Sequence, residues 1–582
     1  MSDRPNDTTM LVPAASPAPR TWFGWVFAVL LLALSPVLVA GAFLGGYLND
    51  DHAALTANPL AQPGDVPQAL GQVFTPVADI GESPRAYAPL TQVTLGLQYR
   101  LSSEFPWTFR LINLLFHLGS AWLLYLIILH VLPKGAPLCA AEEPINADAQ
   151  FNTSRRVVAA FGALFFFLHP LAVSAVSVIA HRGVTQAVFL ALLSWWLMVR
   201  RGADRRVWRR LRRPSWGGYA LSLLCFVAAC LSHPLACGFG GLLIMTELFW
   251  VRSTAAGHGT RTSGWVIATV AAIGLSYLAG VWPASLGATL GADTPPLLMV
   301  ALGRAVLSIL APTGLSTVYA AVELDGMGDP RIWIALGLVV AAIVILAWLP
   351  VGRPAWMLAG GGVLVLLPTL FAAPDLVTVG DWALYLSMPV GGVLFGLGAE
   401  AVQYRLRFIG QDGGKIGETV GFGLAVFLFL LLSLLSLART FAYRSEESLL
   451  RDAVTRQPHS YMANLRLAEE FGRQARAAGM PPEAALARWD EARECIEALR
   501  FAVVDRRYFD QPARQYLLEG ELDFRMGRNG AEEKIRLARK MLTGDQSLLA
   551  RANRLLAEIE ASKTVNNPSG SPVSQAPAPL DP

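Results

Sequence analysis

The chain has 582 residues, of which 54% are hydrophobic and 15% charged, with a formal net charge of +4 and a mean hydropathy of +0.44. That balance is too apolar for a soluble protein of this length and fits a polytopic membrane protein. No Gly-rich phosphate loop or nucleotide fingerprint is present, no nucleic-acid partner is expected, and the five cysteines show neither metal-ligand spacing nor a pairing framework.

Apolar runs of about 20 residues, enough to cross a bilayer core, recur from Trp22 to Ala438. The first, 22–48, is longer than a signal peptide's apolar part and lacks an obvious small-residue cleavage site, so it reads as a retained span. Further spans are predicted near 107–132, 157–180, 183–200, 217–232, 234–251, 264–283, 331–349, 355–373, 383–404 and 418–438. The run 297–311 is short, carries Arg304, and reads as re-entrant or interfacial. The loop RRGADRRVWRRLRR holds eight arginines against one aspartate, which marks it as cytoplasmic; topology alone accounts for that charge. Counting outward, the tail 1–21 and the loops 133–156, 252–263, 350–354 and 405–417 are cytoplasmic. The long loop 49–106 and everything after Ala438 then lie outside. Opposite sides for the two ends require an odd number of crossings, and eleven satisfies this.

After Arg439 the composition turns polar and helical in period. SYMANLRLAEEFGRQARAAG and PPEAALARWDEARECIEALRF form one predicted helix pair, and ARQYLLEGELDFRMGRNG and AEEKIRLARKML a second. Residues 445–562 therefore read as a tetratricopeptide-like domain of about two units, although the period is not a clean 34. The composition of the tail 563–582 is that of a disordered segment.

Ionisable residues in or against a bilayer are costly, which makes them functional candidates. Asp50 and Asp51, with Asn58-Pro59, follow the first span. Arg110, Asn113 and His117 fall at near-helical spacing on one face of the second. In FFFLHPLAVSAVSVIAHRG, Pro170 breaks a helix at His169 and a partial helix delivers His181 and Arg182 to the surface. His233 precedes Pro234, and Asp381 and Tyr385 open a later span. A lipid-phosphate substrate calls for such groups: a carboxylate as general base, and cations on the leaving phosphate. Arg182 suits phosphate by its fixed fork of donors. Each residue also has a structural explanation. The aspartates can be solvated boundary residues, His169 can satisfy freed carbonyls, Arg182 can snorkel to head groups, and His117 can bond a neighbouring helix.

In this order the clusters resemble the GT-C superfamily of polytopic glycosyltransferases. They are most similar to bacterial relatives of the transmembrane and tetratricopeptide-repeat-containing O-mannosyltransferases. Asp50-Asp51 and Asn58-Pro59 match that family's outer loop, and Tyr87-Ala88-Pro89-Leu90 resembles its Tyr-Arg-Pro-Leu. Phe109-Arg110, Asn113 and His117 resemble Phe-His-x-x-Asn-x-x-x-His, and His169-Pro170 with Ser174, Val176 and Arg182 resembles the third-span motif. Ser232-His233-Pro234, Pro312 with Leu315, Ser316 and Tyr319, and Asp381 with Tyr385-Leu386 complete the series. The likeness covers roughly residues 22–440. The chain departs from the pattern at Ala88, Arg110, Ser174, His233 and Trp382, where the family has Arg, His, Glu, Lys and Arg.

The resemblance implies an all-α fold: a GT-C-like transmembrane domain over 22–440, then the tetratricopeptide-like domain. It implies a glycosyltransferase that moves a sugar from a polyprenyl-phosphate donor to a protein or glycan acceptor on the non-cytoplasmic face of a bacterial inner membrane. Asp50 or Asp51 would be the base. Arg182, His181, Arg110 and His169 would hold the phosphate, and Tyr87, Asn113, His117, His233, Asp381 and Tyr385 would shape the site. No metal is required, and a divalent ion on the two aspartates is the open alternative. The repeats would present an acceptor or partner. The five departures keep a second reading alive, a catalytically silent membrane scaffold whose repeats dock an envelope protein. A transporter is disfavoured because the charges cluster at one edge and no duplicated broken-helix pair is present.

Overall fold

The computed structural model describes residues 22–75, 87–102, 105–131, 147–207, 216–251, 262–278, 294–319, 324–348, 352–372, 380–406, 413–502, 511–542 and 546–566. The expectations for the tail 1–21, most of the cytoplasmic loops and the end of the chain from 567 fall outside them. The described residues are all-α, with helices joined by short 3₁₀ turns and no strand.

The membrane half opens with α1 (Trp22–Leu34), α2 (Asn49–Thr56), α3 (Val66–Phe74), α4 (Pro89–Ser102), α5 (Pro106–Val131), α6 (Ala147–Leu168) and α7 (Leu171–Ser177). It continues through α8 (Arg182–Val207), α9 (Trp216–Ser232), α10 (Gly238–Thr246), α11 (Thr262–Leu278), α12 (Thr294–Leu310), α13 (Pro330–Trp348), α14 (Gly352–Ala372), the single turn α15 (Asp381–Leu384), α16 (Met388–Leu406) and α17 (Gly413–Thr440). Among the described residues four helical stretches are long and apolar enough to cross a membrane: Pro106–Val131, Ile179–Arg200, Pro330–Trp348 and Thr419–Arg444. The pair α6–α7, bent by 60°, makes a fifth if counted as one span, and the other apolar helices are shorter. The first predicted run is not one continuous helix: after Leu34 it tightens into a 3₁₀ turn, Ser35–Leu38, where Pro36 withdraws a backbone donor. The run near 297–311 forms the full helix α12, which packs on α13.

One large apolar core unites these helices, with Trp195, Phe166, Phe167, Phe226 and Phe239 fully buried. By contrast α13 turns Trp333, Ile334, Val340 and Val344 outward, and α17 does the same with Phe422, Leu424, Phe427 and Leu434. In water such faces would be aggregation-prone patches; on a membrane protein they are the lipid-facing surface.

Pro170 ends α6, and the carbonyls that this frees are taken up by side chains. His117 Nε2 lies 3.1 Å from the Phe167 carbonyl, and Ser436 Oγ donates to that of Leu168 at 2.6 Å. The break is thus held by α5 on one side and α17 on the other.

Beyond α17 come α18 (Glu446–Arg456), α19 (Tyr461–Ala475), α20 (Pro482–Ala498), α21 (Gln511–Arg525), α22 (Ala531–Met541) and α23 (Gln546–Asn566). The helix pairs α19–α20 and α21–α22 fall where the periodicity places them, with left-handed glycines at Gly479, Gly527 and Gly530 in the turns. Two apolar cores stack in series: one around Leu465, Phe471, Trp489 and Leu518, the next around Leu517, Ile535 and Leu555.

The end of α17, where the chain leaves for the repeats, and the first repeat helix are each fixed to the membrane half. The Gly41 N–H donates to Thr440 Oγ1 at 3.0 Å. A Cβ on Gly41 would come within 2.5 Å of the Phe441 backbone, so this close approach requires glycine. Arg456 also donates to the Thr313 carbonyl at 3.1 Å.

Candidate functional site

A small cleft of about 70 Å³, partly open to solvent, lies where the membrane helices meet the first repeat helices. Its walls are Leu48 and Asp50, Ser174 and Val178 on and after α7, His181, Thr317 and Val318 after α12, Asp381 and Trp382 on α15, and Glu446, Leu449, Leu450 and Arg466 from the repeats.

The two adjacent aspartates have different environments. Asp50 lies in the cleft with its side chain 55% exposed, 3.6 Å from Arg466. Asp51 is fully buried, its Oδ1 accepting the Ala180 N–H at 2.9 Å and its Oδ2 the Leu48 N–H at 3.1 Å. Burial pushes the Asp51 carboxyl up from 3.8 to about 6, against the pull of those two N–H groups and of the Arg110 charge. Among the described residues no three His, Cys, Asp or Glu side chains converge as a metal site.

The arginines expected at a phosphate lie elsewhere. Arg110 is fully buried and donates to the carbonyls of Gly45 (2.6 Å), Gly46 (2.5 Å) and Ser177 (2.9 Å). Arg182, also buried, donates to Asn113 Oδ1 and the Phe109 carbonyl at 3.0 Å each, and stacks over the Phe109 ring. Asn113 in turn donates to the carbonyls of Val176 and Val178. These three residues tie α5 to the irregular chain between α7 and α8, and neither arginine lines the cleft.

The histidines divide in the same way. His117 Nδ1 lies 2.7 Å from Tyr385 Oη; with Nε2 donating to Phe167, Nδ1 is the acceptor of the tyrosine proton. His169 accepts the Leu171 N–H and donates to the Ile309 carbonyl, and His233 accepts the Leu235 N–H. These three therefore cap helix breaks. His181 differs: Nδ1 donates to the Ser174 carbonyl at 3.0 Å, which leaves Nε2 as the basic nitrogen of a ring that lines the cleft. Trp382 sits between His181 and His233 with ring centroids 5.6 Å from each.

Asp381 closes the far wall. It accepts from Tyr319 Oη and forms a buried ion pair with Arg439. Arg439 also donates to Tyr443 Oη at 3.3 Å, and Arg304 lies over the Tyr319 ring. Burial, with the Asp381 charge beside it, raises the Tyr319 hydroxyl above the ordinary tyrosine range. The Arg439 charge balances that of Asp381, while Asp50, with its side chain 55% exposed, and Glu446 are the other carboxylates on the cleft wall.

The structure thus gathers Asp50, His181 and Asp381 in one cleft and places Asp51, Arg110, Asn113, His117, His169, Arg182, His233 and Tyr385 in the surrounding framework. Tyr87 stands apart, donating to the Phe74 carbonyl at 3.1 Å. Sequence reasoning missed Arg439 and Arg466. An arginine at the end of an apolar run was a readable signal for the first. Arg466, one of many charges on an amphipathic helix, carried none.

No protein-family model matches the chain. Over 212 residues it is 28% identical to Protein O-mannosyl-transferase Tmtc1 of Drosophila melanogaster, a stretch covering 35% of this chain. The match takes in 20% of that relative's length.

Proposed function

We propose that this chain is a membrane glycosyltransferase that transfers a sugar from a polyprenyl-phosphate donor to a protein or glycan acceptor on the non-cytoplasmic face. The observation that carries the reading is the cleft. It holds a half-exposed carboxylate, Asp50, beside an imidazole with a free basic nitrogen, His181, at the junction of an apolar helical bundle and a repeat domain. The similarity to a protein named as an O-mannosyltransferase supports the same class. In this reading Asp50 takes the proton of the acceptor hydroxyl as its oxygen attacks the sugar's anomeric carbon. The bond from that carbon to the phosphate oxygen breaks, and its electron pair leaves with the lipid phosphate. His181 faces the leaving group, Asp51 fixes the loop that carries Asp50, and Asp381, held by Tyr319 and Arg439, shapes the wall opposite.

The test is glycoproteomics of the cell envelope in a deletion strain complemented at matched expression. A glycan should disappear on deletion and return with wild type. With Asp50→Asn it should return at a rate about 10²- to 10⁴-fold lower, the usual range for loss of a general base. One observation favours the scaffold reading: Arg110 and Arg182 are occupied by protein acceptors. If Asp50→Asn restores every glycan and phenotype that wild type restores, the scaffold stands in place of the transferase.

A further inference from the structure

We propose that Arg466, delivered by the repeat domain, is the residue that binds the donor's phosphate, and that its ion pair with Asp50 is exchanged for that phosphate when the donor enters. The proposal rests on the transferase reading for the identity of the lipid, and it makes the repeat domain part of the site rather than an appendage.

Three observations lead to it. First, the arginines of the membrane half nearest the cleft, Arg110 and Arg182, are fully buried on backbone and amide oxygens, and Arg439 is committed to Asp381. The donor's phosphodiester is a monoanion that gains a second charge as the sugar leaves, so it needs a cation with free donors, and the arginine that lines the cleft is Arg466. Second, Arg466 is not held by its own helix. The acidic residues one turn on, Glu469 and Glu470, are taken by Arg514 and Arg473. Among the described residues its ion pair is with Asp50, at 3.6 Å, a loose contact between side chains 31% and 55% exposed. A pair so exposed is worth little in itself and is readily exchanged. Third, the helix bearing Arg466 is positioned on the membrane half. Arg456, one helix earlier, is bonded to the Thr313 carbonyl, and the chain entering the repeats is packed against Gly41.

The exchange couples binding to chemistry. In the unloaded site Arg466 holds the Asp50 carboxylate. Once the phosphate draws the guanidinium away, Asp50 is free to accept the hydroxyl proton, and the positive charge lies where the electron pair of the breaking carbon–oxygen bond arrives. Arg466 transfers no proton; it stabilises the leaving phosphate.

The full-length protein in phosphatidylcholine nanodiscs tests this by binding alone. The probes are undecaprenyl phosphate and undecaprenol, which differ only in the phosphate, measured by native mass spectrometry. Wild type should prefer the phosphate. Arg466→Gln should bind it about 10- to 100-fold more weakly, the range for a charge-assisted contact, and should leave undecaprenol unchanged. Arg466→Lys should fall between the two. Asp50→Asn, which removes the competing carboxylate, should bind the phosphate more tightly. A purely structural Asp50–Arg466 pair would make both variants weaker together, and that result overturns the proposal. So does Arg466→Gln holding the phosphate as wild type does, or a wild type without preference for the phosphate. Arg466→Lys and Asp50→Asn decide the matter if Arg466→Gln does not fold. A glycan lost on deletion with phosphate binding independent of Arg466 leaves the transferase standing and this proposal overturned. Arg466-dependent binding with no glycan lost does the reverse.

Discussion

Asp50 and Asp51 are adjacent and chemically identical, and the fold gives them separate tasks. Asp50 faces the cleft, while Asp51 turns inward to hold the backbone of Leu48 and Ala180. Because the Asp51 carboxyl is raised from 3.8 to about 6, the folded state binds its proton more tightly than the unfolded chain does. Its contribution to stability is full below pH 3.8 and is lost as pH rises through about 6, a change of about 3 kcal/mol. Melting temperature should therefore fall between pH 5 and pH 7. Asp51→Asn should lie lower at pH 5, since its amide cannot accept both N–H groups, a cost of about 1–3 kcal/mol, and its profile should be flatter. An equally steep profile in the variant would remove Asp51 as the cause. Arg182 gives the same lesson about environment. As a lone residue after a partial helix it suits phosphate, and in the fold it bonds Asn113 and Phe109.

At the scale of elements, the break at Pro170 was legible because proline lacks a donor and cannot continue the helix. The partners that satisfy the break, His117 and Ser436, come from helices far along the chain and were not. The helix pairs of the repeat domain were legible from their apolar period, and their packing depends on glycines at the contact. In α21, a Cβ on Gly520 would meet Ile535 Cγ1 at 2.6 Å and the Ala531 carbonyl at 2.9 Å, both on α22. Gly520→Ala should push α21 off α22 and destabilise the repeats by about 1–3 kcal/mol, seen as faster limited proteolysis within residues 511–542. Gly→Ala at Gly423, whose Cβ would meet nothing within 4 Å, should leave the repeats as stable as wild type.

At the scale of the molecule, the chain is an all-α membrane protein whose last apolar helix runs directly into a helical domain. The arginine loop predicts that this domain lies outside the cytoplasm. An alkaline phosphatase fusion after Asn566, expressed in a bacterial inner membrane, should be active, and a green fluorescent protein fusion there dark. The opposite pattern would invert the orientation and remove the base from the outer face.

Composition and hydropathy by themselves determined the class of fold, the order of apolar helices and the change to amphipathic repeats. Those are properties of local sequence: apolar length decides what enters a bilayer, and a 3.6-residue period decides which face a helix buries. Only the tertiary structure decided which charges are held in the framework and which face a cleft. Arg110 and Arg182 find carbonyls, Asp381 finds Arg439, and Asp50 is left to meet Arg466, a residue 416 positions away in the numbering. The cost of burying a polar group depends on partners brought together by folding, so no local pattern records it.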